Sequence, residues 1–204
     1  MQLSVLGIDL AGSPRRPTGV CVLTQCRAAA KLIFSDEDIL AMATPDIGLV
    51  SIDAPLSLPR GRCCLKNECA CAKSGIHLRK CDIEVRAMGI RILPLTIGPM
   101  RMLTERGIAL KNEFEKRGRR VIEAYPGGAQ EIWGIPRQDD PGGLRRALKK
   151  LGIKGDISRK SLSPHELDAI RCALVGKLYL ENEYLATGEP DEGQIIFPKP
   201  ENAK

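Results

Sequence analysis

The stretch Val5-Leu-Gly-Ile-Asp-Leu-Ala-Gly12 decides how the rest of the chain is read. It is apolar on both faces through Ile8, as expected of a central strand covered on both sides, and then delivers one carboxylate, Asp9, into a glycine-bearing loop. An ionised carboxylate is costly to bury unless it is paired or bound to a cation. Asp9 is therefore expected to be the first of several acidic residues that jointly hold divalent cations.

Working outward, Ala11–Pro17 is loop chemistry, since Gly12, Pro14 and Pro17 interrupt both regular structures. Thr18–Thr24 reads as a second strand antiparallel to the first, and residues 28–34 as a third. Ser35 followed by Asp36, Glu37 and Asp38 marks a helix start, with a capping hydroxyl and then acids at the positive end of the dipole. Asp46–Pro55 echoes the opening: an apolar run ends in Asp53, and Pro55 forces a turn. Two apolar strands each ending in Asp are expected to be sheet neighbours with both carboxylates at one rim, where sites in open α/β sheets lie.

Residues 60–81 are polar, loop-like and hold five of the eight cysteines, so they read as an insertion. Cys63, Cys64, Cys69, Cys71 and Cys81, with His77 among them, offer enough thiolates for a tetrahedral structural zinc site. The tight Cys-Cys and Cys-x-Cys pairs would also suit an iron–sulfur cluster. Cys21, Cys26 and Cys172 read as core or near-core thiols.

A short helix is expected from Asp82 to Met88, with Pro94, Gly98 and Pro99 as breakers, and a longer one over 101–117 with Arg106 on a polar face. Arg119–Pro126 is the next strand and carries Glu123 inside an apolar run. Short helices follow around 129–133 and 144–151. The best-marked helix is 163–180, where Ser163, Pro164 and Glu166 make a capping box with proline in the first turn. His165 and Asp168 lie three apart on it and share a face. The chain after Gly188 reads as a proline-rich tail with one short strand at 194–197. The domain boundaries expected are 1–187 and a tail over 188–204.

Aromatic residues make up 3% of the chain, too few for a base-stacking single-strand binder. The net charge of +6 suits a polyanionic partner. The opening residues carry no basic n-region or cleavage site, and no apolar run approaches a membrane span, so a cytoplasmic protein with no membrane partner is expected. There, cysteines read as metal ligands or core residues before disulfides.

The order of elements carries a resemblance. A strand with Asp, an antiparallel hairpin, a later parallel strand with an acidic end and a last helix with Asp is similar to the ribonuclease H-like fold. The His165-x-x-Asp168 pair looks like the last-helix pair of Holliday-junction resolvases. Across Gly7–Gly12, Ser51–Leu56, Gly61–Cys64, Arg79–Asp82, Leu103–Gly107, Val121–Gly127 and His165–Ala169, the chain resembles an uncharacterised prokaryotic domain-of-unknown-function family of predicted nucleases with this fold. The resemblance implies that Asp9, Asp53 and Asp168 are metal ligands, with Glu123 a fourth.

The expectation is thus one α/β domain, a ribonuclease H-like mixed sheet with helices on both faces and a Cys-rich insertion. Its expected activity is hydrolysis of nucleic-acid phosphodiesters, DNA or RNA, with Asp9, Asp53, Glu123 and Asp168 holding two magnesium or manganese ions. His165 would ligate, position water or shuttle a proton. Arg15, Arg16, Arg60, Arg62 and Arg101 would neutralise substrate phosphates. Two other classes stay open: a non-catalytic nucleic-acid-binding or protein-interaction module, and phosphoryl transfer of the sugar kinase or ATPase kind, which usually needs two such domains.

Overall fold

The computed structural model of the protein describes residues 3–137 and 139–200. The opening strand, β1 (Ser4–Asp9), pairs antiparallel with β2 (Thr18–Thr24), which pairs antiparallel with β3 (Arg27–Ile33). The first helix, α1 (Asp36–Ala41), begins at Ser35, whose hydroxyl accepts from the Asp38 amide. The chain then returns as β4 (Ile47–Asp53), parallel to β1. Beyond the cysteine segment come α2 (Lys80–Ala87), α3 (Gly98–Lys116), β5 (Arg120–Ala124), α4 (Pro126–Trp133) and α5 (Pro141–Lys150). A two-residue β6 (Lys154–Gly155), the long helix α6 (Pro164–Leu180) and the hairpin β7 (Tyr184–Glu189) and β8 (Gly193–Pro198) complete the chain.

Eight strands form one mixed sheet in the order β6-β3-β2-β1-β4-β5-β8-β7, with helices on both faces. Among the described residues no helix is long and apolar enough to cross a membrane. Strand alternation divides the core. Val5 and Leu49 point to the side of α6, where they meet Leu167, Ile170 and Leu174. Leu6, Ile8, Val50 and Ile52 point to the side of α1 and α3, where they meet Ile39, Leu110 and Phe114. Burying a side chain of this size is worth about 1.5–3 kcal/mol.

α6 is buried all round from Glu166 to Gly176, so it is a central element rather than an amphipathic cover. Its close seat on the sheet depends on two glycines. A Cβ at Gly7 would lie 2.2 Å from the Ala169 carbonyl oxygen, and one at Gly19 would lie 2.0 Å from that of His165. Helix backbone therefore rests on strand backbone, at the end of the sheet where β1 and β4 terminate.

Three expectations need correction. The strand expected at 194–197 is present as β8, but it does not lie in a tail, because β8 pairs parallel with β5 and β7 closes that side of the sheet. The long helix starts at Gly98 rather than 101, since Pro99 sits in the first turn, where its missing amide costs nothing. Arg106 is not on a solvated face. It is buried and donates to the Ala11 and Phe34 carbonyls and to Asp36, bracing the loop that follows Asp9.

Candidate functional site

Asp9 and Asp53 stand opposite each other in the parallel β1–β4 register, so their α-carbons are one strand spacing apart, about 4.8 Å. Registered neighbours share a face, and both residues follow Gly7 and Ser51 onto the α6 side. The first turn of α6 meets them there. His165 Nδ1 lies 2.7 Å from Asp9 Oδ2. Against an ionised carboxylate that nitrogen donates, and Nε2 of the half-exposed ring is the atom not engaged by Asp9.

One turn further along α6, Asp168 pairs with Arg171, which is 1% exposed. Arg171 also donates to the Gln130 side chain and, at 3.3 Å, to the Pro126 carbonyl. Its Nε has no hydrogen-bond partner among the described residues. No hydrogen bond or ion pair reaches the Asp53 carboxylate among the described residues either. Burial, with the charge of Asp9 adding to it, lifts the Asp53 carboxyl well above the usual carboxylate range, and Arg171 only partly opposes this. Burial likewise raises Asp9, against the hydrogen bond from His165. At the rim three carboxyls thus face one guanidinium and one imidazole. Asp53, Asp168 and Arg171 face a cavity of about 770 Å³ whose other walls include Arg91, Leu95 and Tyr125.

Glu123 lines the same cavity as Asp53 and Asp168, but from the other face of the sheet. It registers with Ile52, not with Asp53, and so emerges on the opposite face of the sheet. There both its oxygens accept from the fully buried Arg79 at 2.7 Å, and the Leu56 amide donates to it as well. Asp82 holds the other side of the same guanidinium at 2.8 Å. A residue offset of one along a strand reverses the face, and spacing alone does not reveal that offset.

The cysteine insertion gathers four of its five thiols. The ligand atoms of Cys63, Cys64, Cys69 and Cys71 all lie within 4.8 Å of one another. Sulfur separations of 3.5 Å for Cys63–Cys69 and 3.9 Å for Cys64–Cys71 bracket the ~3.8 Å edge of a tetrahedral zinc–thiolate site with 2.3 Å bonds. This cluster could hold a metal such as zinc. Burial opposes the ionisation of Cys71, but backbone hydrogen bonds at Cys64 and Cys63 bring its thiol down to about 6. The thiol contact with Cys69 pushes Cys63 up to about 12. Cys81 and His77 are outside the cluster. Cys81 is buried in α2, and His77 Nδ1 bonds the Thr96 hydroxyl at 2.8 Å. No other group of three such donors comes so close together among the described residues.

Two of the expected phosphate-binding arginines are already engaged. Arg60 pairs with Glu189 and Asp191, and Arg62 is buried with its guanidinium spent on the carbonyls of Cys64, Lys66 and Ile76. Arg15 and Arg16 are exposed in the loop after Asp9, and Arg101 lies in the first turn of α3; none of the three has an ion pair among the described residues. Sequence reasoning does not single out Arg171 or Gln130. A signal for Arg171 is present, because His165, Asp168 and Arg171 recur every third position on one helix face.

The fold and the rim define an α/β protein with a cleft of carboxylate, imidazole and guanidinium at the ends of its central parallel strands. A family model described as a protein of unknown function (DUF429) matches residues 7–192, and the chain belongs to that family. No curated protein and no solved structure matches it.

Proposed function

We propose that the Asp9–Asp53 rim is the active site of a divalent-metal-dependent nuclease on a ribonuclease H-like fold. The observation that carries this reading is the registered Asp9–Asp53 pair, met from the same face by His165 and Asp168. The order β3-β2-β1-β4-β5, an antiparallel meander followed by parallel strands, supports the fold comparison.

The donor type supports a hard cation, and no three of the rim donors lie within 4.8 Å of one another among the described residues. Asp53 has no hydrogen bond or ion pair among the described residues, and carboxylate oxygens are what magnesium and manganese take. Asp9, Asp53 and Asp168 would hold one or two such ions. When bound, these supply an activated water and offset charge on the phosphodiester. His165 Nε2 accepts the proton of the attacking water while Asp9 fixes the ring through Nδ1. Arg171 orients Asp168 from within the helix. Arg15, Arg16 and Arg101 receive the flanking phosphates of DNA or RNA.

The test is incubation with labelled junction, duplex and RNA–DNA hybrid substrates, with and without manganese. Manganese-dependent cleavage that disappears in Asp9→Asn and Asp53→Asn supports the nuclease. The pairing of Asp168 with Arg171 and of Asp9 with His165 favours a second reading, a binding module without catalysis. Binding that survives both substitutions, with no cleavage in any metal, would establish that reading instead.

A further inference from the structure

The positive charge of this protein is concentrated in one place. Residues 141–160 contain seven of the 31 basic residues and one of the 25 acidic ones, so this stretch carries the whole +6 and the rest of the chain is balanced. From α5 it runs through β6 and a short 3-10 turn at Asp156–Ser158 to the start of α6. Arg146, Lys149, Lys150, Lys154 and Lys160 are exposed, and none has an ion pair among the described residues. Arg146, Lys149 and Lys150 lie three and four apart and share a helix face.

The fold draws these charges into a track. Arg145 donates to the carbonyls of Arg159 and Lys160, at 3.3 and 2.8 Å, tying α5 to the segment ahead of α6. Lys154 stands beside Arg27 in the β3–β6 register, at the rim away from Asp9. Asp156 and Arg159 bond the Ala30 amide and carbonyl at mid-strand, and Arg159 pairs with Glu166 in the first turn of α6, next to His165. The track therefore follows the β3 edge of the sheet from the far rim towards the candidate site. The seven residues of β3 span about 20 Å, room for roughly six phosphates of one strand at 3.4 Å each. Like charges such as Arg27 and Lys154 repel as cross-strand neighbours, and a polyanion laid across them removes that cost.

We infer that the α5–β6 segment is a docking surface for the phosphate backbone of a nucleic acid, separate from the loop arginines at the rim. A membrane surface fits less well. A bilayer-bound helix needs an apolar face to insert, and α5 has spent its own: Leu144 and Leu148 are both fully buried against the α6 side of the core. The inference rests on the nucleic-acid reading of the rim for its choice of partner, but not on catalysis.

The experiment is fluorescence anisotropy of a labelled DNA duplex and an RNA–DNA hybrid, in EDTA, over a salt series. The variant is Arg146→Gln/Lys149→Gln/Lys150→Gln/Lys154→Gln. Its control removes the same charge elsewhere, as Lys73→Gln/Lys111→Gln/Lys116→Gln/Arg120→Gln. If the track is engaged, the slope of log K against log salt becomes shallower by about 3–4 in the variant and by less than about 1 in the control. Equal losses in both, no loss in the variant, or no binding by the wild type overturns the inference. So does variant-sensitive binding to phosphatidylcholine vesicles carrying phosphatidylserine in the absence of nucleic-acid binding. Track-dependent binding without manganese-dependent cleavage sinks the nuclease reading alone. Cleavage with an unchanged slope in the variant sinks the track alone.

Discussion

Two carboxylate groups sit back to back across the same sheet, and they solve the cost of burial in opposite ways. On the α3 side, Glu123 and Asp82 share the guanidinium of Arg79, and every strong acceptor has a donor. On the α6 side, Asp9 has a histidine and Asp168 an arginine, while Asp53 has only the charge of Arg171 nearby and no hydrogen bond or ion pair among the described residues. The first group is closed on its own arginine. Both groups reach the same cavity, but in the second three carboxyls face one guanidinium and one imidazole. A buried acidic residue thus points to a site only where the fold withholds its counter-charge.

The sharpest way to break this comparison is to open the closed group. Arg79→Met should leave Glu123 and Asp82 buried without a cation and cost about 3–5 kcal/mol in urea unfolding. A loss under about 1 kcal/mol would show that water already reaches the group. Next in size is the helix seat. Gly19→Ala puts a methyl group where the His165 carbonyl oxygen lies and should cost about 1–3 kcal/mol, while displacing the His165–Asp9 contact. Its stability can be read from denaturant unfolding and the imidazole environment from NMR; an unchanged His165 resonance would mean that the helix yields elsewhere.

The second group should respond to pH in the opposite sense from an ordinary ion-paired carboxylate. Burial and the neighbouring Asp9 raise Asp53, so its contribution to stability is complete below the unfolded pKa and is lost as pH rises through the folded one. Asp53→Asn stays neutral throughout. Metal-free Asp53→Asn should therefore melt a few degrees above wild type at pH 8, and the two should converge near pH 3, below the ordinary Asp value of about 3.9. Manganese should narrow the gap at pH 8 by raising the wild type alone. An Asn variant that melts lower at pH 8 would show that Asp53 is already compensated.

The cysteine cluster gives a smaller, local effect. Cys71→Ser should lower bound zinc, read by elemental analysis, and speed proteolysis within residues 60–75 with little change in global unfolding. Zinc content unaltered in this variant would exclude the four-thiol site. Smallest of all is Arg60→Ala, whose partners are exposed; no measurable shift in melting temperature is expected.

Much of this architecture is legible in the order of residues. The apolar run into Asp9, its echo at Asp53 and the Ser163–Glu166 capping box are local signals, because strand burial and helix capping act through residues a few positions apart. They specify the central strands, the last helix and two carboxylates at one rim. Glu123 escapes such a reading because its face depends on a one-residue register between β4 and β5, which pairing across the sheet decides. Likewise β8 reads as part of a tail along the chain, and only its pairing with β5 gives it a place. Residue type alone cannot say which arginines are internal. Arg79, Arg106 and Arg171 resemble Arg60 in the chain and differ only in what the fold packs around them. The sequence by itself determined where the acids sit along each strand. Only the tertiary structure decided which of them received a counter-charge, because burial and pairing are properties of neighbours in space.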